Sequence, residues 1–368
     1  MANGRKDNHS NYLAGQKGRG AQSADTPTRF ALPERITDGD WLDYLSGTDE
    51  ELPPRKTEIT VETPRTIITR NRSPDVPFDR SINPYRGCEH GCIYCFARPS
   101  HAYHDLSPGL DFETKLFTKP NAAALLKTEL NKSSYRVAPI AFGTNTDPYQ
   151  PIEGKWHIMR ELLEVLHDAH HPLTITTKSD RITRDIDILA DMARDNLVFV
   201  AISVTTLCAE THRKLEPRAP QPYRRLAAIS TLHKANVPVH VNVAPVIPAI
   251  TDFEMDAIIA AAAEAGAQSA SFISVRLPYE VAPLFREWLD EHYPDRKDKV
   301  MNAIRSLRGG RDNDPRFGDR MRGQGVLGDL LRTRFLRACK ANRLNKARIT
   351  LRTDLFRPPE LHGQMRLI

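Results

Sequence analysis

From Arg136 onward, short apolar runs alternate with longer stretches in which apolar residues recur every three or four positions. The runs are Arg136–Gly143 (R-V-A-P-I-A-F-G), Leu173–Thr177, Leu197–Val204, Val237–Val246 and Ser269–Leu277. Most are rich in β-branched residues, and short runs of that kind read as buried strands. Between them, Trp156, Met159, Leu162, Leu163 and Leu166 stand at helical spacing. Thr183–Arg194, Pro222–Ala235 and Val281–His292 read as further helices. Thr251 opens another, with Glu254 three residues on, the spacing of a reciprocal capping box. Ser81–Tyr85 is a first strand and Asn121–Asn131 the helix that leads to the second. Six strand–helix units in strict alternation predict an α/β fold with a parallel sheet. Periodicity alone does not choose between a partial barrel and a doubly wound sheet.

The flanks read differently. Residues up to about Phe30 have the composition of a disordered polar and basic tail. Leu32–Pro54 holds a short helix around Trp41–Leu45, and Thr57–Thr69 alternates as a strand. Gly309–Gly328 is glycine- and arginine-rich and irregular. Beyond it Leu327, Leu331, Phe335 and Ala338 or Cys339 share one helical face, which docks the helix on the core and makes Cys339 a buried structural thiol. The expected organisation is a tail over 1–30, an extension over 31–80, a core over 81–295 and a basic C-terminal extension over 296–368.

Charge sharpens that division. The 368-residue chain carries a net +6, but Arg296–Ile368 holds 19 Lys and Arg against 7 Asp and Glu. The basic excess belongs to this last fifth, where Arg332, Arg334 and Arg337 would meet a phosphate backbone or stand as a solvated surface. No apolar run reaches the roughly 18 residues of a membrane helix, and no secretory signal precedes the cysteines. A cytoplasmic, reducing setting with no membrane partner is expected.

The chemistry concentrates in S-I-N-P-Y-R-G-C-E-H-G-C-I-Y-C-F-A-R-P-S-H-A-Y-H, Ser81 to His104. Cys88, Cys92 and Cys95 stand at C-x3-C-x2-C, and Gly87 and Gly91 each precede a cysteine, letting the loop turn tightly. Thiolates suit iron–sulfur clusters or zinc. Three clustered thiols leave one metal position open, whereas a closed structural site takes four ligands. In the zinc alternative His90, His101 or His104 is the fourth ligand and the protein is a nucleic-acid-binding module without catalysis.

The cysteine pattern, with Tyr94 just before the third thiol, resembles the radical S-adenosylmethionine (SAM) enzymes. Over roughly Ile67–Leu289 it is similar to the spore photoproduct lyase-related branch, through S-I-N-P-Y-R-G-C and G-T-N-T-D-P-Y-Q-P. The resemblance implies a partial (β/α)6 barrel with its site at the C-terminal ends of the strands. It implies a 4Fe-4S cluster on Cys88, Cys92 and Cys95 whose open iron binds SAM. Reductive cleavage of SAM then yields a 5′-deoxyadenosyl radical that abstracts hydrogen from a substrate. An electron donor such as flavodoxin or ferredoxin is implied as partner.

By the same resemblance Tyr94 packs against adenine, and Gly143, Thr144 and Asn145 offer oxygens to the SAM amino group. Lys178 and Ser203, at the ends of the third and fourth strands, meet its carboxylate or ribose. Asn242, an amide inside an apolar fifth strand, needs partners that a ribose or adenine supplies. Glu216, Arg218 and Arg225 follow the fourth strand, where they bind substrate or cofactor or pair with one another. Arg276 near the end of the sixth would clamp an anion. Photoproduct lyases carry a hydrogen-donor cysteine after the second strand. This chain reads A-F-G-T-N-T-D-P there, and Cys208, after the fourth strand, is a poor stand-in. Nucleic acid or nucleotide is the first substrate expectation, with a protein or small metabolite as the alternative.

Overall fold

Six of the short runs between the helical stretches, the third to fifth rich in valine, isoleucine and threonine, pair as parallel strands in chain order. They are β1 (Arg80–Ile82), β2 (Ile140–Phe142), β3 (Leu173–Thr177), β4 (Val198–Ser203), β5 (Val239–Val246) and β6 (Ser269–Ser274), ordered 6-5-4-3-2-1. The structure, a computed structural model, describes residues 18–25 and 56–359. Helices follow the strands, among them Ile158–Asp168, Ile186–Arg194, Pro222–Lys234 and Met255–Glu264. This is the parallel α/β sheet the alternation predicts, in the order of a partial (β/α)6 barrel.

Period-two alternation gives the sheet two unlike faces. Ile82, Phe142, Leu173, Ile175, Val200, Ile202, Val239 and Val241 are buried in one core with Leu126, Leu162, Leu166, Leu189, Ile229 and Ile258 of the helices. Strand register places Thr176, Ala201, His240 and Ser269 in one row on the opposite face, and Ser203, Asn242 and Ser271 in the next. In these two rows the face carries small and polar side chains. It leaves room and hydrogen-bonding groups where a closed core would carry Leu or Val.

Several expectations change in detail. Thr57–Thr69 is two short strands in different sheets. Glu58–Val61 pairs with Lys115–Thr118 in a side sheet, and Thr69–Arg70 runs antiparallel to β1. The capping box at Thr251 does not form. Thr251 Oγ1 accepts from Ile247 N (2.9 Å), and the Glu254 carboxylate accepts from Thr206 Oγ1 and Leu207 N (2.6 Å each). The tertiary donors outcompete the local one, and a short 3-10 turn precedes the helix. Gly18–Asp25, read by composition as tail, is packed against the core, with Ala21 fully buried. The helix expected around Trp41–Leu45 lies outside the described residues.

The helix Gly325–Ala341 docks through Leu331, Phe335, Ala338 and Cys339, as its apolar face predicts. Burial pushes the Cys339 thiol up to about 11. The chain then crosses the N-terminal ends of the strands. Asn345 bonds both backbone groups of Ala270 (Ala270 N to Oδ1, 2.8 Å; Nδ2 to Ala270 O, 3.1 Å). Arg352 N donates to Asn196 O and Arg357 N to Ala169 O, and Asn131 Nδ2 donates to Pro359 O. These contacts meet the start of β6 and the segments before β4, β3 and β2, and form a strap beneath the sheet. Among the described residues no helix is long and apolar enough to cross a membrane.

Candidate functional site

The cysteine loop leaves the C-terminal end of β1 and is held both through its backbone and through the side chains of Glu89, His90 and Tyr94. Gly87 and Gly91 adopt φ of +71° and +67°, which favour glycine. A Cβ on Gly87 would fall 2.5 Å from Leu116, and one on Gly91 would fall 2.8 Å from the Glu113 carboxylate. Arg98, with no exposure, donates to Cys92 O (3.0 Å), Gly91 O (3.3 Å), Pro108 O and Gly109 O, and pairs with Glu113 (2.5 Å). Gln150 holds the other flank: its Nε2 donates to Gly87 O (3.1 Å) and its Oε1 accepts from Glu89 N (2.9 Å).

Cys88 and Cys92 are buried and Cys95 is half-buried. Burial, with Asp147 and the two neighbouring thiols, pushes the Cys88 thiol well above its ordinary range; burial pushes Cys92 up to about 12. A cationic metal centre is what such a group of thiols needs to ionise. This donor set fits a cluster. The histidines considered as zinc ligands face other partners. His90 Nδ1 lies 3.5 Å from Asp147, His101 Nε2 lies 2.8 Å from Lys115 O, and the His104 ring packs on Phe117.

Beside this loop stand the ends of β2, β3 and β4. Asn83 organises the G-T-N-T loop: its Oδ1 accepts from Asn145 N (3.1 Å) and its Nδ2 donates to Thr144 Oγ1 (3.1 Å). A Cβ on Gly143 would sit 1.9 Å from Thr176 O, so only glycine lets the loop cross β3 there. Asp147 accepts from Thr177 Oγ1 (2.6 Å) and Lys178 N (2.7 Å), tying the loop after β2 to the end of β3.

Lys178 Nζ lies 5.8 Å from the centroid of the Tyr94 ring. Burial lowers its proton affinity, but the charges of Cys92 and Glu216 outweigh this and hold the ammonium above the usual lysine range. Tyr94 donates its hydroxyl to the Glu216 carboxylate, and Thr205 Oγ1 donates to the same group (2.7 Å). Glu216 pairs with Arg225, whose Nη1 donates to Ser203 O (3.0 Å) and Nε to Pro220 O (2.8 Å). Burial alone would raise the Glu216 pKa; Arg225, Lys178 and His212 hold it far below the carboxylate range. On β5, Asn242 Oδ1 accepts from Ser271 Oγ (2.7 Å).

Tyr94 and Lys178 thus stand together, with Ser203 tied to the same buried network through Arg225. Asn242 shares a row with Ser203. Glu216 does not fit a substrate role: it is fully buried and both its oxygens are taken by the protein. Arg218 pairs with Glu89 of the cysteine loop (3.1 Å). Arg276, at the end of β6, lies over the half-exposed Phe96 ring (5.3 Å) and donates to Met321 Sδ. Cys208 is exposed and begins the helix Ala209–Leu215. Of the C-terminal arginines, Arg334 pairs with Asp256 (2.5 Å) while Arg332 and Arg337 are exposed.

Sequence reasoning assigned no role to Asn83, Arg98, Glu113, Asp147, Gln150 or Thr205. Asn83 and Arg98 lie in the quoted cysteine stretch, and polar residues so close to a metal loop are a signal that was there to use. Glu113 and Thr205 carry no local pattern.

Residues 82–262 match the radical SAM superfamily. These residues form a radical SAM domain, and members of that superfamily generally bind SAM and a 4Fe-4S cluster. It is 40% identical over 222 residues to an uncharacterized protein of Mycobacterium tuberculosis and equally to one of Mycobacterium bovis. Those matches cover 60% of this chain and 65% of each relative's length. An uncharacterized protein of Methanocaldococcus jannaschii is 24% identical over 221 residues, 60% of this chain and 79% of its own. Among solved structures, spore photoproduct lyase shares the fold with a TM-score of 0.53 and 15% identity, covering 77% of this chain and 79% of that one.

Proposed function

We propose that Cys88, Cys92 and Cys95 hold the 4Fe-4S cluster and that SAM lies between it and the polar face of the sheet. One observation carries this reading: Cys88, Cys92 and Cys95 lie close enough to interact with one another, and Cys92 with Lys178, which stands over the Tyr94 ring. When bound, the cluster supplies the electron for reductive cleavage of SAM. The protein's own residues bind and orient. Tyr94, locked by Glu216 and Thr205, offers its ring to adenine. Lys178 offers an ammonium to the SAM carboxylate, and the G-T-N-T loop, set by Asn83, offers oxygens to the amino group. Asn242, its carbonyl oxygen engaged by Ser271, turns its amide nitrogen to the ribose or adenine. A flavodoxin- or ferredoxin-type donor reduces the cluster.

The substrate proposed is a nucleotide or nucleic acid. Arg276 over Phe96 pairs a guanidinium group with a half-exposed ring, whereas Arg320 over Phe317 (4.6 Å) is already paired with Asp75. The Arg276 pair suits a phosphate beside a stacked base. Spore photoproduct lyase has been solved with a dinucleoside photoproduct. Reconstituted, reduced protein should convert SAM to 5′-deoxyadenosine and methionine, and Asn242→Ala should weaken SAM binding while leaving the cluster spectrum unchanged. DNA or RNA affinity should fall with salt at a log–log slope of roughly 0.7–0.9 per phosphate contacted. Arg276→Ala should weaken that binding. No binding at low salt would leave a protein or small metabolite as substrate.

A further inference from the structure

We propose that the N-terminal segment Gly18–Asp25 is a latch that fixes the cysteine loop from behind and shields its cluster from solvent. The inference rests on the cluster assignment above and concerns how the loop is held.

The segment meets the loop at the Glu113 carboxylate, which has no exposure and faces the Arg98 guanidinium. Gly20 N donates to Glu113 Oε2 (2.9 Å) and Ala21 N to Oε1 (2.8 Å). Arg98, on the other side of that carboxylate, holds the carbonyls of Gly91 and Cys92. One unbroken chain of charge-assisted hydrogen bonds therefore runs from the segment's backbone to the backbone of a cluster cysteine. Without the segment, the buried carboxylate would lose two of its donors, and a buried carboxylate left short of partners is costly.

Packing points the same way. A Cβ on Gly20 would lie 1.7 Å from Gly91 O, so the segment runs directly against the loop's own backbone. Ala21 shares a buried apolar cluster with Cys92, Ile93 and Tyr94. Ser23 O accepts from Leu110 N (2.9 Å) and Ser23 Oγ donates to Glu287 (3.1 Å), fastening the far end to two other elements. Arg19 fastens the near end, donating to Glu113 O (2.9 Å) and Thr57 Oγ1 (3.4 Å). Thr57 in turn donates to Glu89 of the loop (2.6 Å).

Two variants test the latch: the chain lacking residues 1–25, and Gly20→Val, whose side chain has no space against Gly91 O. In cluster-free protein, hydrogen exchange at the Gly91 and Ile93 amides should quicken about tenfold in both, as expected when a locally stabilising contact is removed. After anaerobic reconstitution, the visible absorbance should bleach in air about tenfold faster than in the native chain, since local opening governs access. Native exchange and native bleaching rates in both variants would overturn the latch. A native chain that takes up no iron would instead overturn the cluster reading, with the exchange measurement still deciding whether the segment holds the loop.

Discussion

At the C-terminal ends of the strands, buried charges hold backbone: Arg98 gathers four carbonyls around the cysteine loop, and Arg225 gathers two beside Glu216. At the N-terminal ends, the strap after Leu344 does comparable work with neutral groups, through the Asn345 amide and the backbone of Arg352 and Arg357. Both solutions fix chain segments far apart in sequence. They differ in what failure costs. A buried guanidinium whose carboxylate is removed remains charged and unpaired, whereas a lost amide contact can be replaced by water. The charged solution is directional and unforgiving, which suits an end that must hold thiols, a tyrosine and a lysine in fixed relation. The neutral one closes the other end at lower risk.

The largest effect should come from the thiols themselves. Cys88→Ala, Cys92→Ala and Cys95→Ala should each abolish the full complement of about four iron and four sulfide. Cys339→Ala, in the helix that leads into the strap, and Cys208→Ala should retain it. Metal analysis after anaerobic reconstitution is the measurement. Stoichiometric zinc without iron uptake would break the comparison at its root.

Next come the buried pairs. Arg225→Ala should destabilise the protein by about 3–5 kcal/mol, because Glu216 is left charged without its partner. Replacing both with apolar residues of similar volume should recover much of that loss. Urea denaturation of the single and double variants provides the check; equal losses in both would show that the pair is net stabilising and not chiefly a device of orientation.

A smaller effect links both ends through pH. Burial lowers His101 beside the cysteine loop and His171 above the strap to about 4 each. A histidine held neutral in the fold takes up a proton more readily once unfolded. Stability should therefore be complete above about pH 6.5 and fall as pH drops toward 4, by on the order of 3 kcal/mol for each residue. His101→Gln and His171→Gln should each flatten the fall in cluster-free protein. An unchanged slope in either variant would show that the corresponding imidazole is not held neutral.

The fold was largely legible because the signals that define it are local. β3 has the predicted ends, and β4 and β5 lie within the predicted runs because β-branched runs bounded by turn residues carry their own boundaries. The cysteine spacing is equally local. What pattern reading missed joins residues far apart: Asn83 with Asn145, Arg98 with Glu113, Gln150 with Gly87, Thr205 with Glu216. A polar residue's partner across the fold leaves no periodic trace. The Thr251 capping box failed for the same reason, since Glu254 found Thr206 and Leu207 before its local partner. Gly18–Asp25 was hidden by composition, because a segment that docks through backbone amides needs few apolar residues.

The smallest effect sharpens the comparison most. β6 is the edge strand of the sheet, and an exposed edge leaves backbone donors and acceptors unpaired. Asn345 completes that edge at Ala270 with a single side-chain amide that both accepts and donates, imitating one residue of a neighbouring strand. It does so from φ +59°, a conformation asparagine adopts at less cost than alanine. Asn345→Ala would therefore mix lost hydrogen bonds with backbone strain, whereas Asn345→Gly removes the amide alone. The glycine variant should lose about 1–2 kcal/mol in urea denaturation, the worth of two neutral hydrogen bonds, and the alanine variant somewhat more. Neither should alter iron content or SAM affinity, because the strap touches the strands at the end opposite the cysteines. A shift in SAM affinity in the glycine variant would show that the neutral floor and the charged rim are one mechanical unit after all.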